Sequence, residues 1–183
     1  AYSHGGAIYC YCNTNDNNTY THMNLYGGSI IGNESRTGNG GGVCWDENSS
    51  LQVANCTITE NSAPNGYGGG VYFPIKATYL VLHGTVIITG NTALTDRSDN
   101  ASNVFADSDS DLRILQDTDG RTLNADSKIG LSCGSISSDN LTDGDYGDNA
   151  NLTSEMADCF FADDPSYVIA KKQDGGHYDI YFE

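Results

Sequence analysis

The chain has 183 residues, of which 38% are hydrophobic, with 22 glycines, three prolines and a net charge of −16. Abundant Gly, Asn, Ser and Thr with few helix formers are typical of many short strands joined by polar turns. A surface this acidic repels phosphate backbones, which excludes nucleic acid as a partner. No stretch approaches the roughly 20 apolar residues of a membrane helix, so we expect no membrane insertion.

A glycine-rich motif opens the chain and then recurs. The run Ala1–Gly6 already reads as the interior of a repeat, so we expect a segment of a larger secreted or cell-surface protein. The copies are Gly5–Tyr9, Gly40–Cys44, Gly68–Tyr72 and, in degenerate form, Ser102–Phe105. The equivalent apolar positions are Ile8, Val43, Val71 and Val104, and the glycines let the chain bend tightly before each strand.

Two further blocks follow each glycine run in the same order. The second block alternates apolar and polar residues, as a strand with one buried face does. Its copies are Met23–Leu25, Leu51–Val53, Leu80–Leu82 and Leu112–Ile114. The third block aligns Ile30, Ile58 and Ile88, and it also aligns Asn33, Asn61 and Asn91.

A unit of about 30 residues with three short strands cannot bury its own apolar face, so equivalent units must stack. The sequence therefore predicts an all-β fold, a right-handed parallel β-helix with three strands per coil and about four coils. Stacked coils lie about 4.8 Å apart, which predicts apolar ladders and a ladder of Asn33, Asn61 and Asn91 at a turn where Asn tolerates left-handed backbone. An antiparallel sandwich would not require the same motif in the same order, and a calcium-binding nonapeptide solenoid needs an Asp that Gly27–Gly32 lacks.

The repeat is no longer recognisable towards the C-terminus, where we predict a cap. Leu123, Ile129 and Leu131 are candidates for the last solenoid strands, and residues 134–158 read as an exposed polar loop. Strands at Tyr167–Ala170 and Tyr178–Phe182 flank Asp174-Gly175-Gly176, which is a hairpin signature. The predicted division is β-helix coils over 1–133 and a loop with a capping hairpin over 134–183, with Cys159–Phe161 plugging the open core.

These motifs resemble a known family. The G-G-G-V-Y copies, the T-I-T-x-N-x-A run and the segments Ser127–Leu131 and Cys159–Ile169 are similar to pectate-lyase-like parallel β-helix domains in large surface proteins of gut-type Gram-positive bacteria. The G-G-A-I run also resembles repeats of chlamydial polymorphic outer-membrane proteins. The resemblance implies an extracellular, adhesive or structural role.

Enzymatic chemistry is the competing interpretation, because many β-helices degrade polysaccharides. The N-T-D, D-D, G-H-G and R-I-K signatures of the polygalacturonase group are absent, and the basic residues fall in different blocks. His4, His22, His83 and His177 are scattered and read as surface or turn residues. We therefore predict a non-catalytic module, with a polysaccharide lyase or hydrolase fragment as the alternative.

Binding candidates remain on the surface. Tyr9, Tyr72 and Phe105 alternate with inward Ile and Val, so they should point outward, where aromatic rings can stack on host or environmental glycans; lateral sheet packing is the plainer alternative. The run Asp107, Asp109 and Asp111 suits calcium, a hard cation, and no other cofactor is expected; a solvated acidic loop is the plainer explanation of this run. A surface protein is an alternative partner. Exposed solenoid ends predict end-to-end self-association, so a fibre-forming subunit remains an alternative function. The six cysteines do not follow a zinc pattern, and both buried thiols and disulfides remain open.

Overall fold

The protein is a β-solenoid of about three turns, against the four coils predicted, with parallel strands and almost no helix. This computed structural model describes residues 4–11, 21–45, 49–73, 79–94, 101–106, 114–115, 122–133, 152–174 and 177–183. The elements in chain order are β1 (Ile8–Cys10), β2 (Thr21–Ile31), β3 (Val43–Trp45), β4 (Ser49–Thr59), β5 (Ser62–Ala63), β6 (Val71–Phe73), β7 (Tyr79–His83), β8 (Ile87–Thr89), β9 (Thr92–Ala93), β10 (Val104–Ala106), β11 (Ile114–Leu115), β12 (Lys128–Cys133), α1 (Ser154–Ala157), β13 (Phe160–Ala162), β14 (Ile169–Asp174) and β15 (His177–Phe182).

The first stack is built from the glycine-led strands. Strands β1, β3, β6, β10 and β12 pair in parallel in that order. Their register aligns Ile8, Val43, Val71, Val104 and Leu131. The first four are the positions that the repeat predicts, and Leu131 continues the same apolar ladder.

The second stack follows the repeat for three turns and then departs from it. Met23 pairs with Leu51, and Leu51 pairs with Leu80, as predicted. In the next turn, however, Ile114 rather than Leu112 pairs with Leu80. The predicted alignment of Leu112 with Leu80 is therefore wrong by two residues.

The third stack contains the isoleucine ladder. Ile30, Ile58, Ile88, Ile129 and Phe160 align across successive parallel strands. Strand β12 serves two stacks, because Ile129 continues the third and Leu131 continues the first. The corner between them is reduced to Gly130.

Left-handed backbone recurs at the corners of each turn. Gly40 and Gly68 have φ of 68° and 65° just before the first strands, as the glycine runs predict. The corner between the second and third stacks has positive φ at Gly27, Asn55 and Gly84. Before the Asn ladder, the left-handed residues are Gly32, Glu60 and Gly90. The prediction that the ladder asparagines themselves occupy this conformation is wrong, because the preceding residue makes the bend.

The C-terminal segment closes one end of the solenoid. Strands β14 and β15 form the predicted antiparallel hairpin. Ile180 and Phe182 from the hairpin join the solenoid core together with Cys159 and Phe160, while Phe161 is exposed.

Part of the predicted polar loop is also structured. Residues 152–158 include α1, whose N-cap Thr153 accepts a hydrogen bond at Oγ1 from the Met156 backbone N–H. Leu152 and Met156 are buried against the core. The prediction of an exposed loop is therefore wrong for these residues, because the helix presents an apolar side chain to the solenoid end.

Candidate functional site

The outer face of the first stack carries the predicted aromatic row. The in-register order along the solenoid is Tyr9, Cys44, Tyr72, Phe105 and Ser132. Each of the first four follows an inward Ile or Val, so these side chains project away from the core. Tyr9 is exposed and Tyr72 is half-buried.

Phe105 lies on this face but is not a free contact surface. Only 6% of the residue is exposed, because Tyr67 stacks on its ring at 4.7 Å between centroids and Tyr72 lies at 6.0 Å. The interplanar angles are 23° for Tyr67 and 11° for Tyr72, so the three rings are nearly parallel. We call Tyr67, Phe105 and Tyr72 the aromatic platform; its buried member corrects the prediction that Phe105 itself offers a binding surface.

Tyr67 is the exposed member of the platform, with 49% of the residue accessible. It lies in the Gly66-Tyr67-Gly68 segment, and its backbone N–H donates to Asn39 Oδ1 at 2.9 Å. Nearby, Asn65 Nδ2 donates to the Arg36 carbonyl at 2.7 Å. Within the described residues, the Asn39 amide nitrogen and the Asn65 amide oxygen make no further hydrogen bond. Asn39 therefore contacts the backbone of the exposed platform residue, and Asn65 lies two residues before it in the chain.

The sequence did not identify Tyr67, because it lies outside the alternating strands. Its signal was a single aromatic residue between two glycines directly before a first-stack strand.

A second aromatic group lies at the N-terminal end of the same face. The Tyr9 ring is 5.6 Å from that of His4 and 6.2 Å from that of Tyr11. On the sheet register, Cys44 lies between Tyr9 and Tyr72 and is buried. The structure therefore separates Tyr9 from the platform rather than joining the predicted residues in one groove.

The outer face of the second stack groups polar residues that looked scattered in the sequence. His22 Nδ1 and Ser50 Oγ are hydrogen-bonded at 2.5 Å, and the Tyr26 hydroxyl donates to Gln52 Oε1 at 2.7 Å. The Tyr26 ring also lies 6.0 Å from that of His83, which is buried. The prediction of a surface role is wrong for His83. A Ser–His hydrogen bond is one element of a nucleophilic site, but the described part shows no second partner for the His22 ring.

Asparagine side chains form a hydrogen-bonded ladder along the third corner. Asn33 Nδ2 donates to Asn61 Oδ1 at 2.9 Å, and Asn61 Nδ2 donates to Asn91 Oδ1 at 2.9 Å. The ladder then continues beyond the predicted residues. Asn91 Nδ2 donates to Asn103 Oδ1 at 2.9 Å, and Asn103 Nδ2 donates to Asp163 Oδ1 at 2.5 Å.

The short corner at Gly130 explains this extension. The turn through β12 has no residue between Ile129 and Leu131 except Gly130, so it cannot supply an asparagine. Asn103, which precedes β10, fills that level instead, and Asp163 terminates the ladder as an acceptor for the Asn103 backbone N–H and side chain. A Cβ atom at Gly130 would overlap both side chains.

No known protein family, curated protein or solved structure matches this chain. Within the described ranges, no helix is long and apolar enough to cross a membrane.

The structure describes five of the six cysteines but none of the three predicted calcium ligands. Asp107, Asp109 and Asp111 lie outside the described residues, and the described part contains no cluster of three His, Cys, Asp or Glu side chains suited to a metal ion. Cysteines 10, 44, 56, 133 and 159 carry thiols rather than disulfides. Burial, followed by the charge of Asp158, raises the pKa of the Cys159 thiol above its usual value.

Proposed function

We propose that the chain is a non-catalytic, adhesive solenoid module of a secreted or cell-surface protein, and that it binds a glycan on the aromatic platform. The observation that supports this is the exposed Tyr67 ring, which the buried Phe105 ring holds in place. The resemblance of the repeats to those of pectate-lyase-like bacterial surface domains supports the same setting.

The platform has the two properties that sugar recognition requires. The C–H groups of a pyranose ring pack on an aromatic face, and amide groups bond its hydroxyls. Asn39, which accepts from the Tyr67 backbone, and Asn65, two residues before Tyr67, are the amide side chains that we propose for the hydroxyls. Because Tyr67 is already stacked, binding costs little side-chain entropy.

A glycan array with purified protein, run with and without calcium, is the first test. We expect reproducible hits, and we expect Tyr67→Ala to weaken the affinity for a hit by about fivefold, since an aromatic contact contributes about 1 kcal/mol. Phe161→Ala is the matched control, because Phe161 is 40% exposed on another face. It should leave the affinity unchanged.

Two results would overturn the proposal. One is an array without hits under either condition. The other is a hit whose affinity Tyr67→Ala and Phe161→Ala change equally. A hit that requires calcium would direct attention to Asp107, Asp109 and Asp111.

A further inference from the structure

The aromatic platform is packed against a segment of the preceding turn that contains an arginine. Asn65 Nδ2 donates to the Arg36 carbonyl at 2.7 Å. A Cβ atom at Gly66 would lie 2.3 Å from the Gly38 carbonyl oxygen, so the two backbones are in direct contact just before Tyr67. Charges on this segment of the preceding turn therefore act on any ligand that stacks on Tyr67.

The guanidinium of Arg36 is paired with a carboxylate of its own segment. Arg36 Nε donates to Glu34 Oε1 at 2.8 Å, although both side chains are well exposed. A pair this exposed contributes little to stability, but it cancels the positive charge of the arginine. A carboxylate or sulfate on a sugar would have to displace Glu34, which would stay nearby and repel it.

The chain around the platform supplies acidic residues in excess. In the first 73 residues Arg36 is the one basic residue, and the acidic residues there are Asp16, Glu34, Asp46, Glu47 and Glu60. The Leu94 backbone N–H donates to the Gly66 carbonyl at 3.1 Å, so residues 95–100, with two Asp and one Arg, begin next to the platform. With a net charge of −16 on the whole chain, the field at the platform repels anions.

We infer that the platform selects uncharged glycans and discriminates against glycans with carboxylate or sulfate groups, because Glu34 neutralises the arginine beside it. The inference rests on the proposed glycan binding and names the class of sugar that the site accepts. The Tyr67 ring and the two asparagine amides require C–H groups and hydroxyls, which a neutral hexose provides. An anionic sugar offers the same contacts, but its charge meets a paired arginine and a field of its own sign.

The test compares two forms of each uncharged glycan that binds on the array. In one form C6 is oxidised to a carboxylate, and in the other that carboxylate is converted to its methyl ester. The two forms share the ring, the linkage and the carbonyl, so the ratio of their affinities reports the charge. By isothermal titration calorimetry in about 20 mM NaCl, the carboxylate should bind at least about tenfold more weakly than the ester. The ratio should shrink at about 500 mM NaCl, because salt screens the field.

Glu34→Gln tests the role of the paired arginine. Without the carboxylate, the Arg36 guanidinium is available to an anion, so the variant should bind the carboxylate form at least about fivefold more tightly than the wild type does. Its affinity for the methyl ester should stay unchanged. Glu183→Gln is the matched control, since it makes the same chemical change at an exposed residue of the capping hairpin. It should leave both affinities unchanged.

The outcomes separate this inference from the proposed function. Binding of anionic glycans alone, or a carboxylate that binds as tightly as its ester in low salt, would overturn the inference and leave glycan binding in place. An equal response to Glu34→Gln and Glu183→Gln would also overturn it, because the arginine pair would then have no part in selection. An array without hits would refute the proposed function, and the inference with it.

Discussion

Replacing Asn with Ala should lower the stability by different amounts at two levels of the asparagine ladder. Asn91 is 1% exposed and lies between Asn61 and Asn103, whereas Asn33 is half-buried at the open end. Replacing each with alanine removes the same atoms from equivalent sequence motifs. Any difference in stability therefore reports how completely each level is enclosed by hydrogen-bonding neighbours.

The magnitude follows from the groups left behind. In Asn91→Ala, the buried Asn61 N–H loses its acceptor at 3.0 Å, and the carbonyls of Ile58 and Thr89 lose their donor. Each stranded buried group costs about 1–3 kcal/mol, so the unfolding free energy should fall by about 3 kcal/mol. In Asn33→Ala, Asn61 Oδ1 keeps the Asn33 backbone N–H as a donor and the other partner, the carbonyl of Ile31, belongs to an exposed residue, so the cost should be about 0.5–1 kcal/mol.

Thermal unfolding followed by circular dichroism, with urea unfolding alongside, measures the difference. At about 2–4 °C per kcal/mol for a chain of this size, Asn91→Ala should lower Tm by about 6–12 °C and Asn33→Ala by about 1–4 °C. Equal decreases, or a larger decrease for Asn33→Ala, would refute the inference that the ladder is enclosed at its centre and open at its first level.

Three further predictions concern other parts of the solenoid. Gly70→Ala should lower Tm by several degrees, because the new Cβ would lie 2.6 Å from the Asn103 carbonyl oxygen; differential scanning calorimetry measures this, and an unchanged Tm would contradict the close packing. Asp163→Asn should cost about 1–3 kcal/mol in urea unfolding, because each Asp163 oxygen accepts one Asn103 donor and the amide NH₂ that replaces either oxygen would face that donor, whereas Asp164→Asn removes the same charge next door at less cost. The raised pKa of Cys159 means that its stabilising contribution is present at neutral pH and is lost as the pH rises through the folded-state value. Urea unfolding at about pH 7 and about pH 10 should therefore show a larger loss for the wild type than for Cys159→Ser, and equal losses would contradict the burial of the thiol.

The stacked fold could be predicted from local patterns because each turn repeats the same short sequence motifs. Alternation places Val43 and Val71 inward, and a motif recurring in the same order favours parallel stacking over other strand arrangements. In the fourth turn the motif is degenerate, and the register could not be predicted from it. Ile114 pairs with Leu80 there, and not Leu112 as the repeat predicts. The cap hairpin was readable because its turn residues lie between two apolar strands.

The binding face required the tertiary structure. Alternation alone predicts that Phe105 points outward, but its burial depends on Tyr67, which comes from the preceding turn and from outside any strand. The same holds for His22 and Ser50, which are 28 residues apart and meet only because the register stacks their strands.

The sequence by itself determined which side chains of the first three turns face the core, that glycines bend the chain before the first-stack strands, and which asparagines recur, because these follow from period-two alternation and from a repeat near 30 residues. Only the tertiary structure decided how the ladder ends. Asn103 lies just 12 residues after Asn91 and so does not fit the repeat, and Asp163, although it follows Phe160 by three residues as Asn91 follows Ile88, lies in a turn where the repeat could no longer be read. They complete the ladder because the corner at Gly130 is too short to hold a side chain, and that corner exists only once β12 spans two stacks.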